Sequence, residues 1–508
     1  MSVSGGAQGS VRTRLLLAAL AGIGLFSLAG YVGMAAAADA ARRPEANWRY
    51  IQIAIPLFCI YGAACYIVLR WGRNMPVRPT LAVIGLVAVL ARAVLVPAAP
   101  TLSNDVYRYV WDGRIMAAGI SPYAYPPGAP EVKAFAPEGD PIWPYINRKG
   151  AITIYPPGAE LFYATIYYLN PNSVTWTKAA MSLVDLANCL LVVLLLRRFS
   201  MPVVRSLIYA WSPLPIIEFA SSGHVETLSV FWTLLALLAG TISVQSYASG
   251  ARRRGRVARI ASGVCLAGAG LVKLIPMLLL SAWVRRFGAW VALLAVGLFA
   301  VVYAGFTALT GGYVSPFLLT YLGKEESNAA VYYILSRYVG PAIGVGDEVI
   351  RASLILATIA GAVLILLKRE RGHYDFVGKS FLLITVYLLF ATNAHPWYAT
   401  WPLAFLPLML PPNGLPLFSD NSDMADGKRL RRGYYGLSLA VLAYTCLTFT
   451  GYLVPAMRVP DVPAPVLLFQ LVAVVGLGVI WPLAGRFYTR VENRRVSIVA
   501  PPAVTKSP

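Results

Sequence analysis

Runs of apolar residues long enough to cross a bilayer recur along this chain from residue 15 to residue 484, and no long polar domain interrupts them. The chain therefore reads as one membrane-embedded body over residues 1–508, an all-α polytopic membrane protein. At roughly twenty residues per span, helices are expected at about 15–37, 50–70, 79–98, 176–196, 202–220, 224–244, 288–309, 350–367, 377–393, 397–412, 434–455 and 463–484. About twelve spans would put both termini on the same side. The first run follows Arg12 and Arg14 and has the look of a secretory leader, but its length favours a retained helix.

Charge supports this reading. Hydrophobic residues make up 58% of the chain and charged residues only 13%, about half the share of a soluble domain. The net charge of +21 comes in clusters between apolar runs, such as Arg252 to Arg254, Arg285 with Arg286, and Lys428 to Arg432. Such clustering is the positive-inside pattern of cytoplasmic loops and argues against a nucleic-acid partner. It places both termini in the cytoplasm, with Arg42, Arg43 and Arg49 as the exception, since they fall on the outer side. The five cysteines all lie within apolar runs, without metal-ligand spacing or an obvious disulfide pattern.

Two segments do not fit simple spans. The stretch 260–284 has arginines at both ends and a Lys273-Leu-Ile-Pro276 break in its middle, which suggests a re-entrant hairpin of two half-helices. That arrangement would leave Lys273 toward the cytoplasmic half. The stretch 156–171 is apolar but short, with both ends outside, and reads as an interfacial or re-entrant helix. It belongs to a large extracytoplasmic loop over 100–175 that is rich in Tyr, Trp and Pro. A second outer loop runs from Gly311 to about Glu348.

The side chains able to carry chemistry concentrate on the outer side. Asp105, Arg108, Tyr109 and Asp112 share one face if the start of the large loop is helical. Transfer of a group from a phosphate-linked donor to a hydroxyl needs a carboxylate to take the proton and cations or hydroxyls to hold the leaving phosphate. This face offers both, although an Asp–Arg pair that merely ties down a loop would look the same. Glu218, His224 and Glu226 meet at the short turn between two spans, where a polar helix–helix turn is the plain alternative. His395-Pro-Trp-Tyr398 marks another outer turn; an aromatic belt accounts for Trp397 and Tyr398 but leaves His395 unexplained. Arg92 and Lys273 lie at membrane depth, where each needs an anion, and both a lipid phosphate and Asp185 would serve. The turns at Tyr125-Pro-Pro127 and Tyr155-Pro-Pro157 set rigid segments whose rings could stack on a sugar.

The string Asn104-Asp105-Val-Tyr107-Arg108-Tyr109-Val-Trp111-Asp112-Gly-Arg114, followed by Ala118-Gly-Ile-Ser-Pro-Tyr123, resembles the first outer loop of bacterial GT-C glycosyltransferases. It is most similar to polyprenol-phosphate-mannose-dependent mannosyltransferases. Ile154-Tyr-Pro-Pro-Gly158, Gly223-His-Val-Glu226, Val272-Lys-Leu-Ile-Pro276 and His395-Pro-Trp-Tyr398 follow in the order of that group. The resemblance covers about residues 80–412, and only its first motif is specific. It implies a GT-C-type fold and an inverting transfer of a hexose, mannose by resemblance, from a polyprenyl-phosphate donor to an extracytoplasmic glycan or lipid acceptor of the cell envelope. Carried over, Asp105 becomes the general base. Arg92, Tyr107, Arg108, Asp112, His224, Glu226, Lys273, His395 and Tyr398 become candidate substrate-binding residues. In the usual layout this loop follows the first span, whereas here it follows the third. No cofactor is implied; a divalent metal is compatible with the family but has no Asp-x-Asp here to hold it. A transporter or flippase of a lipid-linked sugar is the alternative, although no internal repeat supports it.

Overall fold

The computed structural model describes residues 4–310 apart from residue 42, then residues 314, 329–368, 372–410, 437–448 and Tyr452. The described residues are helical, without strands. Among the described residues, eight helices are long and apolar enough to cross a membrane. Helices α1 (Ser4–Ala36), α2 (Pro44–Trp71) and α3 (Val77–Leu95) correspond to the first three expected spans. After the loop helices α4 (Asp105–Ala117) and α5 (Pro157–Leu169) come α6 (Val174–Arg198), α7 (Glu226–Ala248) and α8 (Arg252–Val272). A short α9 (Leu280–Phe287) leads to α10 (Ala289–Thr310), and α11 (Asp347–Leu367), α12 (Asp375–Phe390) and α13 (Thr400–Met409) follow. The spans expected at 377–393 and 397–412 are thus shorter helices, the one at 434–455 is described only in part, and that at 463–484 lies outside the described residues.

Two expectations are corrected. The span at 202–220 is not one helix: a 3-10 turn at Val203–Ser206, short helices at Leu207–Ala210 and Pro213–Pro215, and a π-helical turn at Ile216–Ser221 replace it. Pro213 and Pro215 account for the break, since neither can donate to a helical ladder. The stretch 260–284 is not a pair of half-helices. Its first limb begins earlier, at Arg252, and continues unbroken to Val272, about 30 Å of helix. Only the second limb is broken and short. It runs back beside α8, where the Trp283 indole donates to Ser262 Oγ at 3.2 Å and Arg259 lies 5.9 Å from the Phe287 ring centroid. Both ends of the hairpin therefore lie on one side, as expected, but Lys273 stands at its far tip.

The other end of the body carries α4. The α1–α2 turn reaches it as well: the Asp39 N–H donates to Thr101 Oγ1 at 3.1 Å, four residues before α4, and Arg43 pairs with Asp39 at 2.8 Å. Of the three arginines that break the charge pattern, Arg43 thus has a carboxylate beside it. The loop around α4 is pinned by Arg114, whose guanidinium bonds Asp140 through two nitrogens (2.5 and 3.0 Å) and Asn172 Oδ1 at 2.6 Å. Gly158, at the start of α5, lets that helix press on the tip of α8; a Cβ there would stand 2.8 Å from the Leu271 carbonyl oxygen.

Within the helices, Arg92 of α3 meets Asp185 of α6 at 2.6 Å with both side chains at most 2% exposed. The Tyr209 hydroxyl donates to the other carboxylate oxygen at 2.7 Å, and Arg92 Nη1 donates to the carbonyls of Ala88 and Ala210. Every strong demand of the pair is met inside the protein, which is what a charge at membrane depth requires.

Removing one member of that pair strands the other, so Asp185→Ala should lower the stability of the detergent-solubilised protein by about 3–5 kcal/mol, while Arg92→Met with Asp185→Leu recovers most of it. Thermal unfolding of the three forms measures this. In the loop, burial pushes the Asp140 carboxyl upward, but Arg114 and the Ile142 N–H outweigh it and hold the group below the usual carboxylate range. Its contribution is therefore present above the unfolded-state pKa and fades as pH falls through the folded one. Asp140→Asn should cost most near neutral pH, and the gap to wild type should close on acidification.

Candidate active site

Asp105 is the first residue of α4, where the unpaired backbone N–H groups favour an anion. Its Oδ1 accepts a 2.6 Å hydrogen bond from Asn147 Nδ2, and its Oδ2 lies 3.8 Å from His224 Nδ1. The Asp105 side chain is 20% exposed, against 0% for Glu218 and 1% for Glu226. Among these three acids, Asp105 alone is open to an incoming molecule.

The turn that delivers His224 is built by its backbone. The π-helical turn Ile216–Ser221 ends at Ser222, and Gly223 follows at φ +77°. The His224 N–H then donates to the Glu218 carbonyl at 2.9 Å, which folds the ring back over the Glu218 side chain with Nε2 3.4 Å from Oε2. A Cβ on Gly223 would lie 3.0 Å from Val106 and 3.1 Å from Lys178, so this turn packs directly under α4. Lys178 in turn donates to the carbonyls of Leu95 and Ala98 at the end of α3, fixing the chain that leads to Asp105. Trp397 completes the support. The His224 ring stacks on it at 3.8 Å and the His395 ring at 4.3 Å, giving a three-ring sandwich.

Beside this sandwich, Lys273 reaches in from the tip of the α8 hairpin. Its Nζ lies 2.8 Å from Glu226 Oε1, 4.8 Å from the Tyr155 ring centroid and 5.5 Å from that of Tyr398. The expectation that Lys273 belongs to the opposite half is thus corrected, because α8 spans its full length before Lys273. The partly buried His395 packs edge-on to Tyr398 and faces Lys273 and Arg148. Burial first, then those two cations, push its pKa down to about 3. His395 is accordingly a neutral ring that can donate or accept a hydrogen bond beside two positive charges.

The structure gathers Asp105, His224, Glu226, Lys273, His395 and Tyr398. It does not bring in the rest. Arg108 is bound to Asp112 at 2.7 Å and to the Ala151 carbonyl. Burial raises the Asp112 carboxyl and Arg108 opposes that rise; buried Glu160, raised by burial and by Asp112, accepts from Thr153 at 2.7 Å beside them. Tyr107 stacks on Tyr145 at 4.9 Å. Arg92 stays with Asp185, 1% exposed, within the helices. Arg108, Asp112 and Tyr107 are thus engaged by neighbours in the large loop and Arg92 by Asp185. Among the described residues no three His, Cys, Asp or Glu side chains converge as a metal-binding set.

Sequence reasoning did not single out Asn147, Arg148 or Lys178. The first two lie in a loop without periodicity, and nothing in the sequence places them opposite His224 or His395. Lys178 had a readable signal, a lone cation in an apolar run, of the kind that drew attention to Arg92.

A helical, many-span membrane protein with ionisable side chains gathered at one end is the class defined so far. Residues 15–309, more than half of the chain, match the family described as alpha-(1->6)-mannopyranosyltransferase, N-terminal domain, and the chain belongs to that family. The matched region contains Asp105, His224, Glu226 and Lys273; His395 and Tyr398 lie beyond it. The chain is also 24% identical over 341 residues to alpha-(1->6)-mannopyranosyltransferase B of Corynebacterium glutamicum, an alignment covering 61% of this chain and 56% of that protein. The chain thus spans little more than half the length of this curated relative. The crystal structure of ArnT from Cupriavidus metallidurans bound to undecaprenyl phosphate is similar at 15% identity, over 80% of this chain and 76% of that one, with a TM-score of 0.40.

Replacing Gly223 tests how the turn is built. Gly223→Ala should destabilise by at least about 1–2 kcal/mol because an L-residue is forced into left-handed backbone, and Gly223→Asn should cost more, because its larger side chain presses further on Val106 and Lys178 although its backbone tolerates that region. Thermal unfolding ranks the two.

Proposed function

We propose that this protein is an inverting membrane glycosyltransferase of GT-C type. It moves a hexose, mannose by family, from a polyprenyl-phosphate donor to a glycan or lipid acceptor on the extracytoplasmic side of the plasma membrane. The observation that carries this reading is the pairing of one solvent-open carboxylate, Asp105 at a helix N-terminus, with cations held nearby, Lys273 and Arg148, around the neutral His395. A base and an anion-holding group on one surface are what displacement at an anomeric carbon requires.

The mechanism follows from their positions. The acceptor hydroxyl approaches the open side of Asp105, whose Oδ takes its proton as the oxygen bonds to the anomeric carbon. The bond from that carbon to the phosphate oxygen breaks with its electron pair, and polyprenyl phosphate departs. Lys273, Arg148, His395 and Tyr398 hold the phosphate as its charge grows. Tyr155 and Tyr398, which flank the Lys273 ammonium, offer ring faces to the sugar. Lys273 is shared between Glu226 and the leaving phosphate, so Glu226 limits how far the ammonium can move. The alternative of a transporter or flippase needs charged groups lining a path through the bilayer. Of Arg92, Asp185 and Lys273, the charged groups that would serve such a path, the first two are occupied by each other and Lys273 pairs with Glu226.

Membranes carrying wild-type protein or Asp105→Asn, with equal amounts of each confirmed, are given labelled polyprenyl-phosphate mannose. Wild type should transfer label, and Asp105→Asn should be slower by about 10²–10⁴-fold, the range for loss of a general base. Lys273→Met should raise the KM for the donor. Equal transfer by wild type and Asp105→Asn rules out Asp105 as the base.

A further inference from the structure

The proposed mechanism uses Asp105 but gives no work to Glu218, the most deeply placed acid of the cluster. Glu218 is fully buried, and the Tyr452 hydroxyl donates to both of its carboxylate oxygens at 3.1 and 3.2 Å. Its Oε2 lies 3.4 Å from His224 Nε2, and the other nitrogen of the same ring lies 3.8 Å from Asp105 Oδ2. One imidazole thus stands between a buried acid and an open one.

We infer that Glu218 and His224 form a neutral buried pair that aims the Asp105 carboxylate: Glu218 keeps its proton and gives it to His224 Nε2 as a hydrogen bond, and His224 Nδ1–H points at Asp105 Oδ2. This rests on the reading of Asp105 as the base. Two carboxylates facing one neutral imidazole would put two negative charges in a largely dry space, a costly arrangement. One proton on Glu218 leaves a single charge among the three groups, and the positions favour Asp105 as its holder. Asp105 alone has solvent access, the α4 N-terminus, and the 2.6 Å hydrogen bond from Asn147. The logic is that of a catalytic triad with the roles rearranged, since here the histidine orients the base and the buried acid fixes the tautomer of the histidine.

The surroundings suit such a device. The π-helical turn places Glu218 and His224 on one side of the chain, a local geometry that recurs at functional sites. Trp397 stacks on the imidazole and fixes its plane. The other charged groups around the ring are spoken for: Lys178 on the α3 carbonyls, and Lys273 on Glu226. His395, beyond Trp397, is neutral. Asp105 Oδ2 is within about 1 Å of hydrogen-bond distance from Nδ1, a gap of the size that substrate binding closes in enzyme sites.

The decisive comparison is Glu218→Gln against Glu218→Leu, with His224→Gln, in the full chain. Glutamine keeps a neutral group that donates to Nε2. Glu218→Gln should therefore keep kcat within about 2-fold of wild type, whereas Glu218→Leu and His224→Gln should each lower it about 10- to 100-fold, part of the worth of a general base. In both impaired variants the KM for the donor should stay unchanged, and the acid limb of the kcat–pH profile should move to higher pH. The direction follows because a hydrogen bond to the ionised carboxylate favours that form, and its loss raises the Asp105 pKa. If Glu218→Gln is as slow as Glu218→Leu, the acid works ionised and the inference fails; an unmoved acid limb in His224→Gln also overturns it. A second measurement does not depend on transfer. With three histidines in the chain, ¹⁵N-histidine spectra of the protein in lipid discs, with His224→Gln assigning the signal, report the ring tautomer. A neutral ring protonated at Nδ1 near neutral pH supports the inference even if mannose transfer is absent, in which case it is the functional reading that fails. A neutral ring protonated at Nε2 overturns it.

Discussion

A cation carried to the tip of a helical hairpin must find an anion there, and much of the site depends on Lys273 finding Glu226. The pair joins the residue that follows one long helix to the first residue of another, with an ammonium–carboxylate distance of 2.8 Å. Tyr155 from the large loop and Tyr398 from the far end of the chain close over the ammonium with their ring faces. Four stretches distant in sequence are thereby held at one point. The same requirement explains why Lys178 and Arg92 sit where they do, since each is placed where carbonyls or a carboxylate await it. Of these three cations, Lys273 is the one left partly exposed, and so the one with charge to offer a ligand.

That difference separates two meanings of a charge in an apolar run. Arg92 and Lys273 looked alike in the sequence, each lacking an obvious local partner. Arg92 proved to be an internal tie between α3, α6 and the broken segment after it, with Tyr209 taking up the spare carboxylate oxygen of Asp185. Asp185 was in view as its partner, but choosing between a carboxylate and a phosphate needed coordinates. Arg108 and Asp112 resolve in the same way: the four-residue spacing made the pair legible, and the folded chain adds the Ala151 carbonyl as a second partner for Arg108.

The long apolar spans were legible because twenty apolar residues have few other uses, and α1, α2, α3, α6, α7, α10 and α11 fall where hydropathy puts them. The broken span after α6 was not, although Pro213 and Pro215 gave warning. The hairpin was half legible: the arginines at its ends put both ends on the same side, but they also disguised the start of α8, because Arg252 to Arg259 are carried on the helix itself. Asp105, His224, Glu226 and His395 stood out as ionisable groups where such groups are expensive. Asn147 and Arg148 could not, because only the folded loop brings them near His224 and His395.

The three-ring sandwich has a consequence for biosynthesis. Its rings come from residues 224, 395 and 397, so the stack beside His224 is incomplete until the chain has been synthesised almost to residue 400. Chains made from the N-terminus insert their early helices first. The loop bearing Asp105 therefore reaches the membrane before the rings beside His224 exist, and the site stays incomplete until the later helices arrive. Insertion of those helices acts as the final assembly step, and a chain stalled or cut before Trp397 would carry Asp105 without the ring that stacks on its neighbour His224.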